Sequence, residues 1–274
     1  MAQKLSAENS ARVRQALASW QQWQPCPEKL PELVEQLGGD SNLSFKVDDG
    51  LSQWVLRLNN PNKDSGINRA NERLAIEAAH AKGLSPQLCF SGDDFLVTPF
   101  VQGKSPLLKN FSQFGQLFSH IHSLPVELAS IDLLDHLKNY YQKVPPDSLL
   151  ATCYQHLVAT YPADSVELKP CHNDCLLPNM LETGKGIFLL DWEYAAAVDP
   201  AYDLAVFTTS YALSPDQMDS LLAGYDPRLA DTRSLRLRIT YYEKYYRLIE
   251  ILWWRIRKRP MREQLQLLTD SLTR

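Results

Sequence analysis

The sequence predicts an α+β fold in which a small antiparallel sheet precedes a larger, mainly helical part. Residues 34–100 contain short apolar strands separated by turns rich in Gly and Asp, with one helix among them. Residues 107–271 carry apolar positions that recur mostly at helical spacing. Within that part, residues 168–205 hold a polar loop, a short apolar run and then two acidic residues. These observations divide the chain into a strand-rich first third and a helical remainder.

Size and charge limit the possible functions. With 274 residues, 45% of them hydrophobic, the chain can bury a sizeable core and fits one bilobal unit or two small domains. The net charge of −4 argues against a nucleic-acid partner. The sequence has no apolar run of bilayer-spanning length, and its N-terminus is polar. We therefore expect a cytoplasmic protein with no membrane partner; the sequence carries no signal for an oligomeric state.

The five cysteines do not predict a disulfide framework or a zinc ribbon, because they are odd in number and form no C-x-x-C pair. Cys171, His172 and Cys175 lie close enough in sequence to raise the alternative of a metal site. No second ligand pair lies at zinc-site spacing, so we favour another role for this segment.

The strand-rich part begins after a helix that Ser6 caps and that extends to about Trp20. A later helix is predicted from Asn68 to Lys82. The predicted strands are Val34–Leu37, Leu43–Val47, Trp54–Leu58, Gln87–Phe90 and Phe95–Phe100. The Gly38-Gly39 turn between the first two would let backbone N–H groups approach a phosphate, and an ordinary hairpin turn is the alternative.

The second part contains a series of predicted helices. They cover Leu107–His122, Ile131–Lys143, Ser148–Tyr161, a helix opened by Asp199 and Pro200, then Pro215–Leu222, Thr232–Lys258 and Met261–Ser271. His120 and His122 do not share a helix face and are predicted to be ordinary polar or packing residues. The aromatic stripe of Thr232–Lys258 predicts a core face, and the alternative is that one or two of its rings line a substrate pocket.

The most informative stretch contains His172-Asn173-Asp174, then Asn179, then an apolar run that leads into Asp191. Phosphoryl transfer from ATP needs a carboxylate beside the acceptor hydroxyl and oxygen ligands that hold Mg²⁺ against the phosphates. Asp174, Asn179 and Asp191 supply that set. The alternative is a loop with capping Asp and Asn residues, but such a loop requires neither the strand nor the acidic residues that follow it.

The order and spacing of these residues follow H-x-D-x-x-x-x-N with a second aspartate at the end of a short strand. The chain thereby resembles the choline kinase, thiamine kinase and aminoglycoside phosphotransferase superfamily, and is most similar to its bacterial choline and thiamine kinase branch. The motif D-W-E-Y-A, which begins at Asp191, is usual in that branch. The resemblance implies a protein-kinase-like bilobal fold, with an N-lobe at residues 1–101, a hinge, and a helical C-lobe at residues 102–274.

The resemblance also implies roles for the residues of the motif. Asp174 would orient the acceptor hydroxyl and accept its proton, and His172 would hold the loop by hydrogen bonding. Asn179 and Asp191 would bind Mg²⁺ through oxygen. Asp203 would support the catalytic loop.

The predicted ATP site departs from the kinase pattern in two ways. It has no G-x-G-x-x-G, and Arg57 stands where protein kinases place a lysine. Arg57 would steady the phosphates with Glu72 as its partner and Glu77 as the rival, whereas a solvent-exposed strand-edge arginine is the alternative. Further ATP contacts are expected at Gly39, Ser41, Asn42, Thr98, Phe100 and Val101.

The resemblance implies ATP-dependent phosphorylation of the primary hydroxyl of a small cationic alcohol, either choline or ethanolamine, or thiamine. Acceptor contacts are expected at Trp192, Tyr242 and Trp253, whose rings can attract a cation. Glu193 would either attract that cation or assist a second Mg²⁺. The basic end of the last long helix argues against an aminoglycoside. An aminoglycoside-type phosphotransferase and a non-catalytic ATP-binding pseudokinase remain the alternatives, and a structural helical adaptor ranks last.

Overall fold

The computed structural model describes residues 5–38, 42–60, 67–162, 166–228 and 231–272. It confirms the α+β class, because an antiparallel sheet occupies the first part and helices dominate the rest. No helix in these ranges is long and apolar enough to cross a bilayer. The lobe boundary between residues 101 and 102 stays a prediction.

The sheet has five antiparallel strands in the order β1-β2-β3-β5-β4. Their bounds are β1 Glu32–Gln36, β2 Leu43–Asp48, β3 Gln53–Leu58, β4 Phe90–Ser91 and β5 Phe95–Pro99. Only β4 differs substantially from expectation. Its predicted span began at Gln87, but the strand pairs with β5 only at Phe90 and Ser91.

One face of the sheet packs against the first helix, α1 (Ala7–Ala18), around the buried rings of Trp23, Phe45 and Trp54. The Ser6 side chain caps α1 by accepting a hydrogen bond from the amide of Asn9 at 3.1 Å. The second helix, α2 (Arg69–Ala81), places Ala75, Ile76 and Ala79 in a separate core that it shares with the later helices. Helix α2 therefore connects the sheet region with the helical part.

The helical part contains α3 Phe111–His122, α4 Leu133–Tyr141, α5 Ser148–Ala159, α6 Pro200–Tyr211, α7 Pro215–Tyr225, α8 Arg233–Ile256 and α9 Arg262–Leu272. Two short antiparallel pairs lie between α5 and α6. They are β6 (Lys169–Cys171) with β9 (Ala196–Val198), and β7 (Met180–Thr183) with β8 (Gly186–Leu189). Helix α3 begins four residues after the predicted Leu107, because Asn110 caps it through the amide of Gln113.

Helices α3 and α7 touch through their backbones at two glycines. A Cβ atom on Gly115 would lie 2.0 Å from the carbonyl oxygen of Leu221, and one on Gly224 would lie 2.0 Å from that of Ser112. Real side chains cannot approach a carbonyl oxygen so closely. The glycines therefore set the distance between the two helices.

We predict that Gly224→Ala destabilises the protein by about 1–3 kcal/mol, because the added methyl forces two packed helices apart and outweighs the better helix propensity of alanine. Urea unfolding would measure the change. Gly184→Ala is the matched control, since no atom lies within 4 Å of its Cβ position. Equal stabilities for the two variants would contradict the glycine contact.

Candidate active site

The loop between β6 and β7 is tied to the residues that follow β8. The amide of Leu190 donates to the carbonyl oxygen of Asn179 at 2.8 Å, and the ring Nε2 of His172 donates to the carbonyl oxygen of Leu190 at 2.9 Å. Asp191 comes directly after Leu190. The two bonds therefore place Asp191 beside the loop that carries Asp174 and Asn179.

Asp174 is held by its neighbours in this loop. The side-chain nitrogen Nδ2 of Asn179 donates to the Asp174 carboxylate at 2.8 Å and to the Asp174 backbone carbonyl oxygen at 3.0 Å. The backbone amide of Asp174 donates to Nδ1 of His172 at 3.2 Å. Nδ1 of His172 is thus an acceptor, which fits a neutral ring, and burial lowers the pKa of His172 in agreement.

Asp203 on α6 holds the same loop from behind. Its fully buried carboxylate accepts from the backbone amides of His172 at 2.9 Å and Asn173 at 2.6 Å. Asn173 has φ of +65°, a left-handed conformation that asparagine adopts more readily than most residues other than glycine. Burial alone would raise the pKa of Asp203, but the bonds donated by His122 and His172 lower it overall.

Arg57 on β3 joins the sheet to both sides of the site. Its buried guanidinium forms ion pairs with Glu72 on α2 and with Asp191, and it donates to Asn59 at 3.0 Å. Glu72 is the partner that the sequence predicts. The rival, Glu77, instead pairs with Arg73 at the surface.

Sequence reasoning missed two residues that hold α2 in place. Arg69 bridges Glu72 at 2.6 Å and Glu193 at 3.4 Å. The amide of Asn71 bonds to both backbone groups of Ala129 at 2.9 Å and to the carbonyl oxygen of Ala195 at 3.1 Å. These contacts fix α2 against the segment that follows Asp191.

A cleft of about 880 Å³ opens between the sheet and the helical part. The catalytic-loop residues Asp174 and Asn179 line it together with Asp191. Residues of the sheet and of the chain after β5 line one portion, among them Asn42, Arg57, Thr98, Phe100 and Val101. Residues of α4, α6 and α8 line another, among them Tyr140, Tyr202, Tyr246, Glu250, Trp253 and Trp254.

Arg57 of the sheet, the loop that carries Asp174 and the second aspartate, Asp191, thus meet in one cleft. A model of the phosphotransferase enzyme family matches residues 33–238 of the chain. The chain belongs to the phosphotransferase enzyme family.

The chain is also similar in sequence to individual kinase-related proteins. Two sequences of protein LicA from Haemophilus influenzae are 26% and 32% identical over 217 and 201 residues, covering 69% and 63% of this chain. The alignments span 61% and 72% of LicA itself. A thiamine kinase from Escherichia coli is 27% identical over 139 residues, which cover 49% of this chain and 50% of that enzyme.

Solved structures share the fold over nearly the whole chain. The choline kinase LicA from Streptococcus pneumoniae gives a TM-score of 0.79 at 19% identity, covering 97% of this chain and 99% of that one. A structure of LicA in complex with AMP gives 0.80 at 18% identity, covering 98% of this chain and 99% of that one. At such identities the likeness shows the fold alone.

The structure brings most of the predicted site residues of this phosphotransferase to the cleft. Those that line it are Asn42, Arg57, Thr98, Phe100, Val101, Asp174, Asn179, Asp191, Trp192 and Trp253. Glu72, His172 and Asp203 are buried behind it and contact lining residues or their backbone. Gly39 and Ser41 lie outside the described residues.

Two predicted acceptor contacts require correction. Glu193 is buried and pairs with Arg69, so it does not line the cleft. Tyr242 is also buried, and its ring packs against Tyr202 and Tyr245. The reason is that α6 packs on the Tyr242 side of α8.

One face of α8 lines the cleft. It carries Tyr246, Ile249, Glu250 and Trp253, which recur at helical spacing. The signal that could have revealed this face is Glu250, the one acidic residue between the aromatic pairs at 245–246 and 253–254. A carboxylate there is more easily accommodated in a cleft than in a core.

The donors beside Asp174 are suited to a hard cation. The nitrogen of the Asn179 amide is bonded to Asp174, so its oxygen is the atom left for a metal. One Asp191 oxygen pairs with Arg57, and the other belongs to a side chain that is 30% exposed. An all-oxygen pair of this kind fits Mg²⁺.

The electrostatic surroundings of Asp174 make its carboxyl group a weaker acid. Burial and the nearby charge of Asp191 raise the pKa of Asp174 to about 7, although the bond from Asn179 opposes them. A carboxylate with a pKa near neutrality is a better proton acceptor than an ordinary aspartate. The raised pKa also means that the charged form of Asp174 is less favourable in the folded protein than in the unfolded chain.

We predict that Asp174→Asn stabilises the metal-free protein at pH 8. The pKa of Asp174 lies above its unfolded value of 3.8, so the wild-type protein loses stability as the pH rises from about 4 to about 7. Asparagine cannot ionise and avoids this loss. One pKa unit corresponds to about 1.4 kcal/mol, and partial exposure of Asp174 reduces the gain to about 1–3 kcal/mol.

Urea unfolding in EDTA at pH 4.5 and pH 8 would measure this gain. The difference between wild type and variant should shrink toward pH 4.5. Asp219→Asn is the control, because Asp219 is an exposed residue of α7. A pH-independent difference would show that Asp174 has an ordinary pKa.

Proposed function

We propose that this phosphotransferase uses ATP to phosphorylate the primary hydroxyl of a small cationic alcohol, with choline as the first candidate and ethanolamine and thiamine as the others. One observation carries the proposal. A single cleft contains Asp174, Asn179 and Asp191 at one place and aromatic rings of α8 at another. These rings, which we call the aromatic wall, are Tyr246, Trp253 and Trp254, and the carboxylate of Glu250 lies among them.

The residues around Asp174 would divide the work of phosphoryl transfer. Asp174 would orient the alcohol and accept its proton. Arg57, held by Glu72, would steady the phosphates of ATP. Asn179 and Asp191 would hold Mg²⁺, which neutralises phosphate charge when it is bound.

The aromatic wall supports a cationic acceptor, and choline in particular. A quaternary ammonium group donates no hydrogen bond, so ring faces and a nearby carboxylate are the groups that can attract it. Tyr246, Trp253 and Glu250 lie within two turns of α8 and line the cleft together. The alignment with LicA of Haemophilus influenzae is longer than that with thiamine kinase, and the LicA of Streptococcus pneumoniae, which shares the fold, is a choline kinase.

The charge next to this wall disfavours aminoglycosides. The guanidinium of Arg257 lies 3.4 Å from the ring centre of Trp253, and that of Arg259 lies 4.0 Å from the ring centre of Trp254. These two resident cations repel each ammonium group of an acceptor, so the electrostatic cost is larger for an aminoglycoside with several such groups than for an alcohol with one. The complete set of Asp174, Asn179 and Asp191 argues against a pseudokinase.

We expect ADP release from ATP and Mg²⁺ to be stimulated by choline more than by ethanolamine, thiamine or kanamycin, and to fall to background in Asp174→Ala. A coupled assay with each alcohol would measure it. Stimulation by thiamine or ethanolamine alone would change the acceptor and keep the reaction. ATP binding without turnover across the panel would favour the pseudokinase.

We further predict that Trp253→Leu raises the KM for the alcohol about 2- to 30-fold, because an aromatic contact with a cation contributes about 0.5–2 kcal/mol. The KM for ATP should stay unchanged. Steady-state kinetics with each substrate varied would measure both. Leu237→Ala, an exposed change on the same helix, is the control. Equal effects on both KM values would place Trp253 outside the acceptor pocket.

A further inference from the structure

A buried row of hydrogen bonds connects α7 with the catalytic loop. The hydroxyl of Tyr225 lies 2.9 Å from Nδ1 of His122, and Nε2 of His122 lies 3.1 Å from the Asp203 carboxylate. Asp203 in turn accepts the backbone amides of His172 and Asn173. His122 and Asp203 are both buried. Only Asn173 then separates the last link of the row, His172, from Asp174.

The chemistry of these groups fixes the direction of the bond between His122 and Asp203. A carboxylate can only accept, so Nε2 of His122 donates to Asp203. Nδ1 of His122 faces the Tyr225 hydroxyl, which can either donate to it or accept from it. Burial raises the pKa of Tyr225, which keeps that hydroxyl protonated. Each of the two side chains therefore orients the next.

The row also depends on the contact between α3 and α7. His122 lies seven residues after Gly115, two turns along α3, and Tyr225 follows Gly224 directly. Because the two glycines bring the helix backbones together, His122 and Tyr225 meet at the end of the same interface. The packing of the helices is thereby linked to the loop.

Asp203 needs this support because its task is demanding. It holds two consecutive amides, those of His172 and Asn173, and Asn173 itself adopts a left-handed conformation. Without the bond from His122, this fully buried carboxylate would be less stable in the charged form and would be held less firmly. Its bonds to the amides of His172 and Asn173 would then be weaker and less well aligned.

We propose that His122 is a positioning residue for phosphoryl transfer: through Asp203 it fixes the backbone that carries Asp174. The proposal rests on the proposed kinase function, but the positioning itself does not require turnover. It predicts a loss in kcat with little change in KM, because His122 is buried and does not line the cleft.

The test compares His122→Phe with His122→Gln. Phenylalanine fills the space and removes both bonds, whereas the glutamine amide can still donate to Asp203. We expect His122→Phe to lower kcat about 10- to 100-fold with both KM values within about twofold, since a small misplacement of a reacting group costs about that much. His122→Gln should recover most of the loss. Tyr225→Phe should give a smaller decrease.

Hydrogen exchange of the 168–180 segment, followed by mass spectrometry, gives a readout independent of activity. Exchange in this segment should accelerate at least about tenfold in His122→Phe and stay near wild type in His122→Gln. This result is expected even if the acceptor or the reaction proposed above is wrong. Failure of the positioning proposal and failure of the proposed kinase function can therefore be told apart.

Two control variants separate positioning from general destabilisation. His120→Phe changes the exposed neighbour on the same helix and should leave kcat and exchange unchanged. Leu137→Ala opens a cavity in the buried face of α4, away from the row, and should lower thermal stability without a selective effect on the 168–180 segment. If His122→Phe resembles Leu137→Ala in both readouts, or if His122→Gln recovers nothing, the proposal is overturned.

Discussion

The site depends on the need to neutralise the buried guanidinium of Arg57. A buried cation is stable only when carboxylates surround it, and those of Arg57 come from two different elements, Glu72 on α2 and Asp191 after β8. The sheet, α2 and the second aspartate must therefore occupy fixed positions relative to one another. Asn71 adds a neutral set of bonds that holds α2 in the same place.

The charges around Arg57 do not balance. Arg57 and Arg69 face Glu72, Asp191 and Glu193, so two cations meet three carboxylates. Asp174 lies next to this group, and the charge of Asp191 contributes to its raised pKa. Within the described ranges, the residues of this group therefore carry more negative than positive charge. A divalent cation with its nucleotide phosphates is the kind of ligand that such an excess suits.

The sequence predicted the parts of this arrangement that local chain geometry determines. Asp174, Asn179 and Asp191 meet because one loop and one hairpin separate them, so their spacing alone carries the information. The Arg57 partner required the family resemblance. Asn71 and His122 could not be predicted, because their partners lie 58 and 81 residues away and each looks like an ordinary polar helix residue.

Helix α8 shows why an aromatic stripe does not identify a pocket by itself. Its rings cover more than half of its circumference, so hydrophobicity cannot distinguish the side that faces α6 from the side that faces the cleft. Tyr242 and Tyr245 pack against Tyr202 of α6, and this leaves Tyr246 and Trp253 on the cleft side. The buried rings form a rigid support for the rings that line the cleft. These cleft-lining rings are already ordered in the folded protein. Binding of a cationic acceptor would therefore cost little side-chain entropy, and less of the free energy of the cation–ring contact would be lost to ordering the rings.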